Sequence, residues 1–457
     1  MGSELKKRYG LITAISMVVG IVIGSGIFFK ATKVLNITGG NMVESLLAVA
    51  IVGIVMIICS NAFAILAARY EKVNGVVDYA EAALGDKYAY YVGWFLTIMY
   101  YPALTACLAW VSAQYTCALF GFDVAGSKHV AIGTLYLILG YAVNALSPKL
   151  AGYFQVSTTV IKLIPLILMA VTGTIVGLVN GNTVEAFKTV SVAGIESQGG
   201  LFAAVVAFAF AYEGWIIARS INAELKNAKK NLPTALVLGS IIVVCVYIAY
   251  FIGMSGKLSV AEMIEAGDSL PQLAFSKMFG DVAGSIVMAF IIMSCLGTMN
   301  GLMLGCCRGL YSVSSRGQGP APKVFSQVDK GTNMPANSTI FGLLLCGIFY
   351  FYWQFCFFEG RVLGTINLPQ WITWEPDELP IILIYVFYIP IFISVMVKEK
   401  DLHPFKRFVV PIIAIACCIF LVFCACYAYR MDAVYYFIAF AIVMFIGFLF
   451  QKKKKKA

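Results

Sequence analysis

The sequence predicts an all-α polytopic membrane protein with twelve transmembrane helices, and three observations carry that fold class. Of its 457 residues 61% are hydrophobic and only 12% charged, with a mean hydropathy of +0.87. Apolar stretches of roughly 20 residues recur along the whole chain, each long enough to cross ~30 Å of hydrocarbon as a helix. Backbone polar groups inside lipid must be satisfied within the segment, which selects helices over open sheet. The short alternating segments of a membrane barrel are absent from the sequence.

In chain order the candidate spans are 10–35, 42–68, 88–119, 129–147, 154–179, 199–219, 233–254, 282–313, 338–357, 379–397, 409–429 and 433–450. The first follows a basic start, Lys6, Lys7 and Arg8, lacks a small-residue cleavage site and reads as an uncleaved first helix. With the N-terminus inside, most of the 33 Lys and Arg fall on the cytoplasmic side of the cell membrane and the acids lean outward. Both termini are then cytoplasmic. The formal charge of +10 reflects this topology, not nucleic-acid binding. The lysine run at 452–456 follows the last span directly, where anionic headgroups of the lipid bilayer would meet it. All 13 cysteines lie in or beside apolar spans, among them Cys59, Cys107, Cys295, Cys306 and Cys307, and read as packing residues. The two histidines, His129 and His403, fall on different membrane sides, so no metal-ligand set can be assembled, and no cofactor is implied.

Two spans carry an interruption at similar depth. Gly20-Ile21-Val22-Ile23-Gly24-Ser25-Gly26-Ile27-Phe28 places glycines and a serine at mid-membrane in the first span. Phe210-Ala211-Tyr212-Glu213-Gly214-Trp215 places an acid beside a glycine in the sixth. Glycine disfavours helix by about 1 kcal/mol relative to alanine. Gly-x-Gly alone is equally a signature of close helix packing. The pair says more, because interrupted segments at corresponding positions of two inverted repeats mark a transporter binding site. Where a helix stops, the next half offers N–H groups to a carboxylate and the preceding half offers carbonyls to an ammonium. An α-amino acid carries both groups.

Two ionisable residues are read as lying within spans, and such residues are functional by default. Lys162, about two turns inside the fifth span, either snorkels to the interface or faces the protein interior. Glu213 borders the second break, as a loop acid facing a water cavity or as a substrate, polar-pair or proton site.

These residues resemble the amino acid–polyamine–organocation (APC) superfamily, and within it the L-type amino acid transporter (LAT) group, over nearly the whole chain. Gly20 to Phe28 is similar to that group's first-helix substrate motif, and Phe210 to Trp215 to its sixth helix. The following Asn222-Ala223-Glu224-Leu225-Lys226-Asn227-Ala228-Lys229-Lys230-Asn231-Leu232-Pro233 is similar to the group's acidic loop. Leu296-Gly297-Thr298-Met299-Asn300-Gly301, Arg308 and Tyr311 to Phe325 resemble its eighth helix and the cytoplasmic loop. The chain also resembles bacterial alanine–serine–cysteine exchangers. It departs from the family at Lys72-Val73-Asn74-Gly75-Val76-Val77-Asp78-Tyr79, where relatives carry a proline and paired glycines, and at Glu213, where many carry Gly or Ser. The second departure leaves cationic substrates open.

The resemblance implies one transporter domain over 1–457: repeat one at 8–179, repeat two at 199–397, and two further helices at 409–450. It implies substrate-binding positions at Ile21, Val22, Ile23, Gly24, Ser25, Gly26, Ile27, Phe210, Ala211, Glu213 and Gly214, with the carboxylate on the backbone of Gly24, Ser25 and Gly26. Phe210 would close over the substrate. Lys162 would occupy the place of a sodium ion and link helices one and eight, so no sodium ion is expected. Tyr247, Ser294 and Thr298 join Lys162 and Phe210 as coupling or gating candidates, and the stretch near Tyr100 and Tyr101 as pocket floor. The expected function is alternating-access exchange of small neutral amino acids without an ancillary subunit. A proton-coupled symporter, a carrier of cationic amino acids and a non-transporting sensor are the alternatives, and an enzyme is not expected.

Overall fold

The computed structural model describes residues 10–24, 26–70, 75–124, 126–215, 225–357, 369–372, 374 and 376–451, and nearly all of this is helix. The first stretch gives α1 (Leu11–Val22), α2 (Gly26–Ile37), α3 (Met42–Arg69) and α4 (Val76–Leu84). Next come α5 (Asp86–Phe95), joined by a π-helical turn to α6 (Tyr101–Phe120), then α7 (Ser127–Leu146), α8 (Pro148–Leu168), α9 (Thr174–Val179) and α10 (Asn182–Lys188). The middle holds α11 (Gly200–Ala209), α12 (Ala228–Met254), α13 (Val260–Glu265), α14 (Leu270–Phe279) and α15 (Asp281–Ser314). The last part holds α16 (Pro322–Phe325), α17 (Ala336–Phe357), α18 (Glu378–Lys398), α19 (Val410–Tyr429) and α20 (Met431–Leu449).

Ten helices among the described residues are long and apolar enough to cross a membrane. The expected spans at 10–35 and 199–219 appear instead as shorter apolar helices, Leu11–Gly20 and Gly200–Tyr212. The physical reason is their interruption: a 12-residue helix such as α1 or α2 rises only ~18 Å, short of a bilayer core. The protein is thus an all-helical, multi-pass membrane protein. The lysine run at 452–456 and positions 72–74 lie outside the described residues.

The chain divides into two compact units. The first draws on Met1–Gly85, Val160–Val287 and Ile381–Ala428, and contains α1, α2, α3, α11, α12 and nearly all of α19. Small residues set its close approaches. A Cβ on Gly53 of α3 would fall 2.5 Å from the Val244 side chain of α12, and one on Gly239 would fall 2.6 Å from Val18 of α1. A Cβ on Gly173, in the π-helical turn after α8, would fall 2.2 Å from the carbonyl oxygen of Gly253. At the end of α3, Arg69 pairs with Glu399 at 2.7 Å and with Asp401, while Tyr70 donates to Glu399 at 2.7 Å. The hydrogen bond from Arg69 holds the Asp401 carboxyl below its ordinary range.

The second unit draws on Asp86–Thr159, Met288–Pro380 and Tyr429–Ala457. Tyr90 and Trp94 of α5 donate to the carbonyls of Gly447 and Val443 on α20, at 2.6 and 2.9 Å. Buried Asn144 of α7 donates to the side-chain oxygen of Asn300 on α15 at 2.9 Å, and Asn300 donates to the Ala151 carbonyl at 3.1 Å. A polar pair of this kind fixes helix register in an apolar core. The described cysteines are free thiols, and no group of three or more His, Cys, Asp or Glu among the described residues could hold a metal ion.

Gly253→Leu is expected to cost about 1–3 kcal/mol by overpacking the contact with Gly173, read as a lower melting temperature of the purified protein in detergent.

Candidate functional site

The first unit holds both helix breaks, and each is built from local backbone geometry. α1 ends where Ile23 turns extended (φ −64, ψ 93) with its N–H still bonded to the Val19 carbonyl. α2 starts afresh at Gly26. Gly24 is buried between them, and Ser25, a predicted carboxylate ligand, lies outside the described residues. Backbone of Ile21 belongs to α1, Val22 and Ile23 are buried, and Ile27 is buried in the first turn of α2. On the other strand of the chain α11 tightens into a 3-10 turn over Phe210–Tyr212. Glu213 then turns extended (φ −74, ψ 159), its N–H donating to the Phe210 carbonyl at 3.1 Å. Gly214 has φ +105, a conformation that side-chain-bearing residues rarely adopt.

The two breaks touch. A Cβ on Gly26 would lie 2.6 Å from the Ala211 Cα, so only glycine lets the start of α2 meet this 3-10 turn. The hydroxyl of Tyr247, on α12 and fully buried, sits at both broken ends: 3.2 Å from the Val22 carbonyl and 2.9 Å from the Ala211 carbonyl. One phenol thus supplies a donor to carbonyls left open by the end of α1 and by the turn after α11. Each carbonyl oxygen keeps a second lone pair for another donor. Tyr212 and Phe208 pack on the Tyr247 ring at 5.0 and 6.1 Å between centroids. Trp215, fully buried, packs in an aromatic cluster: Phe63 of α3 at 5.7 Å and Tyr388 of α18 at 6.1 Å.

Charged groups flank Phe210, which is itself 7% exposed. Lys30 of α2 is 2% exposed, with its ammonium 5.6 Å from the Phe210 ring centroid and 5.5 Å from that of Phe29. The sequence reading had passed over Lys30, although its position inside the 10–35 span, one turn past Gly26, was a usable signal. Glu213 is half-buried. Lys162 of α8 is 1% exposed, so it faces protein rather than snorkelling along lipid.

The remaining predicted positions belong to the second unit. Ser294 is fully buried on α15, and Thr298 donates to its carbonyl at 3.1 Å. Tyr101 packs against Gly305 of α15, where a Cβ would fall 2.9 Å from the ring, and Tyr100 is buried beside it.

A multi-pass membrane protein in which an interrupted helix meets the end of a second apolar helix backbone to backbone fits the architecture of a solute transporter. The family model described as amino acid permease matches residues 9–448, and the chain belongs to that family, within the APC superfamily. Its relatives include the serine/threonine exchanger SteT of Bacillus subtilis, 29% identical over 90% of this chain and 89% of that protein. The b(0,+)-type amino acid transporter 1 of Homo sapiens is 28% identical over 81% of this chain and 74% of its own length. The human cystine/glutamate transporter is 25% identical over 93% and 81%. The protein is accordingly an LAT-like amino acid transporter and not an enzyme.

Tyr247→Phe leaves two buried carbonyls without their donor, a loss of about 1–3 kcal/mol. The expected outcome is a lower melting temperature together with a fall in transport of about tenfold or more, the factor that ~1.4 kcal/mol represents.

Proposed function

We propose that the protein is a sodium-independent exchanger of small neutral L-amino acids such as alanine, serine and cysteine, working by alternating access. The observation that carries this reading is the meeting of the two breaks at Gly26 and Ala211 under the Tyr247 hydroxyl. The amides around Gly24 and Gly26, with Ser25 between them, suit a carboxylate, and the carbonyls from Val22 to Ile23 and from Phe210 to Ala211 suit an ammonium. Short side chains are supported by the crowding at this point, where Ile23, Ile27 and Ala211 are all buried. A serine/threonine exchanger among the relatives supports both the substrate size and the exchange mode.

In this reading the fold has twelve spans, ten of them uninterrupted, arranged as two inverted five-helix repeats at 8–179 and 199–397 plus helices at 409–450. Both termini face the cytoplasm. The substrate bridges the breaks, Phe210 closes over it, and a ligand favours closure only through its greater affinity for the closed state. Tyr247, Ser294 and Thr298 serve as gating positions. Lys162 supplies a fixed positive charge where a coupling cation would otherwise bind, and the protein works without an ancillary subunit. Proton symport is the second reading, favoured by Glu213, a half-buried acid within the sixth expected span.

Counterflow in proteoliposomes separates the readings. Uptake of labelled serine is expected to require internal amino acid and to be indifferent to sodium; uptake into empty vesicles driven by an inward proton gradient would favour symport instead. Lys162→Ala is expected to bind serine but exchange it at least about tenfold more slowly, and unchanged exchange would remove Lys162 from the coupling step.

A further inference from the structure

We infer that the turn between α18 and α19 binds an anionic phospholipid, its headgroup held by Lys400, Lys406 and Arg407 and its acyl chains laid along the outer face of α19. The turn is short. α18 ends at Lys398 and the next span starts at Phe405, so residues 399–404 join two membrane-long helices and lie at the level of the lipid headgroups. By sequence its charges cancel, since Lys398-Glu399-Lys400-Asp401 alternates two bases with two acids. The structure separates them. Arg69, at the end of α3, takes both acids, Glu399 at 2.7 Å and Asp401 as well, and Tyr70 adds a hydrogen bond to Glu399.

Each acid of the turn therefore has its cation from α3, and the charge left over is positive. Lys398 reaches the Ala82 carbonyl at 3.5 Å, while Lys400 and Lys406 are exposed. Arg407 donates through Nε to the Met396 carbonyl at 2.8 Å and lies 4.6 Å from the Phe408 ring centroid, which holds its guanidinium at the turn. Beside these cations the surface is apolar. Phe405, Phe408, Val409 and Ile412 are exposed, Phe405 and Ile412 by more than half, and they follow one another at spacings of three, one and three from the π-helical turn into α19. Cations over an apolar stripe complement a phosphate over acyl chains. A basic residue near the surface strengthens the hold on an anionic headgroup by about fivefold. A zwitterionic headgroup carries its own ammonium and gains little from the same lysines.

The test uses the full-length protein in a neutral detergent and follows its melting temperature as phosphatidylglycerol, phosphatidylcholine or glycerol phosphate is added. Phosphatidylglycerol is expected to raise the melting temperature of the wild type, and the other two to leave it nearly unchanged. The double variant Lys400→Gln, Lys406→Gln should need about thirtyfold more phosphatidylglycerol for the same rise. Should that variant not purify, Lys406→Gln alone should need about fivefold more. A protein with the lysines at 452–456 changed to glutamine separates the turn from that run, and is expected to keep the wild-type response. No response of the wild type to phosphatidylglycerol overturns the inference, as does an equal response to phosphatidylcholine. An unchanged response in the lysine variants of the turn, or a loss confined to the 452–456 variant, overturns the assignment to this turn. Glycerol phosphate acting as strongly as the lipid would rule out the apolar stripe as part of the site. The readout is independent of transport, so it stands or falls apart from the exchange reading.

Discussion

Everything in the first unit turns on how open backbone carbonyls are satisfied where two helices stop inside an apolar medium. Such groups cost several kcal/mol each if they find no partner in lipid. The Tyr247 hydroxyl meets the Val22 and Ala211 carbonyls together, so one side chain on α12 serves both broken ends. That arrangement works only if α12 is held at a fixed distance from α1 and α11. Glycines set the approach of α12 to its neighbours: Gly239 against Val18 of α1, Gly53 of α3 against Val244, and Gly173 against Gly253 at the far end. The contact of Gly26 with Ala211 then follows, because both breaks are drawn toward the same phenol.

This economy leaves polar capacity in reserve. A phenol has one proton to share between two carbonyls, and each carbonyl retains a second acceptor position. Both charged residues near the breaks are held at least partly inside the protein, Lys30 against the Phe210 ring and Glu213 just after the 3-10 turn. Trp215 packs the chain after Gly214 into the cluster with Phe63 and Tyr388.

Much of the fold was legible because hydrophobicity is a local signal. Spans such as Met42–Arg69 and Glu378–Lys398 announce themselves by length and composition alone. The broken helices were legible as glycine positions, and Gly24, Gly26 and Gly214 lie within or at the edges of the two interruptions. What composition could not reveal is partnership across sequence distance. Tyr247 lies 225 residues from Val22 and 36 from Ala211, and nothing in its own helix marks it as the shared donor. The Asn144–Asn300 pair was hidden for the same reason, since neither asparagine is unusual alone. Lys30 was not singled out within the 10–35 span, because its place beside the Phe210 ring is a contact across sequence distance.

The most direct test of the account is an experimental density map of the purified protein with saturating serine. The account predicts one serine at the meeting of the breaks, its carboxylate on the amides from Gly24 to Gly26. Its ammonium should face the carbonyls of Val22, Ile23, Phe210 and Ala211. Serine bound away from both breaks, or helices running unbroken through 23–25 and 213–215, would contradict it.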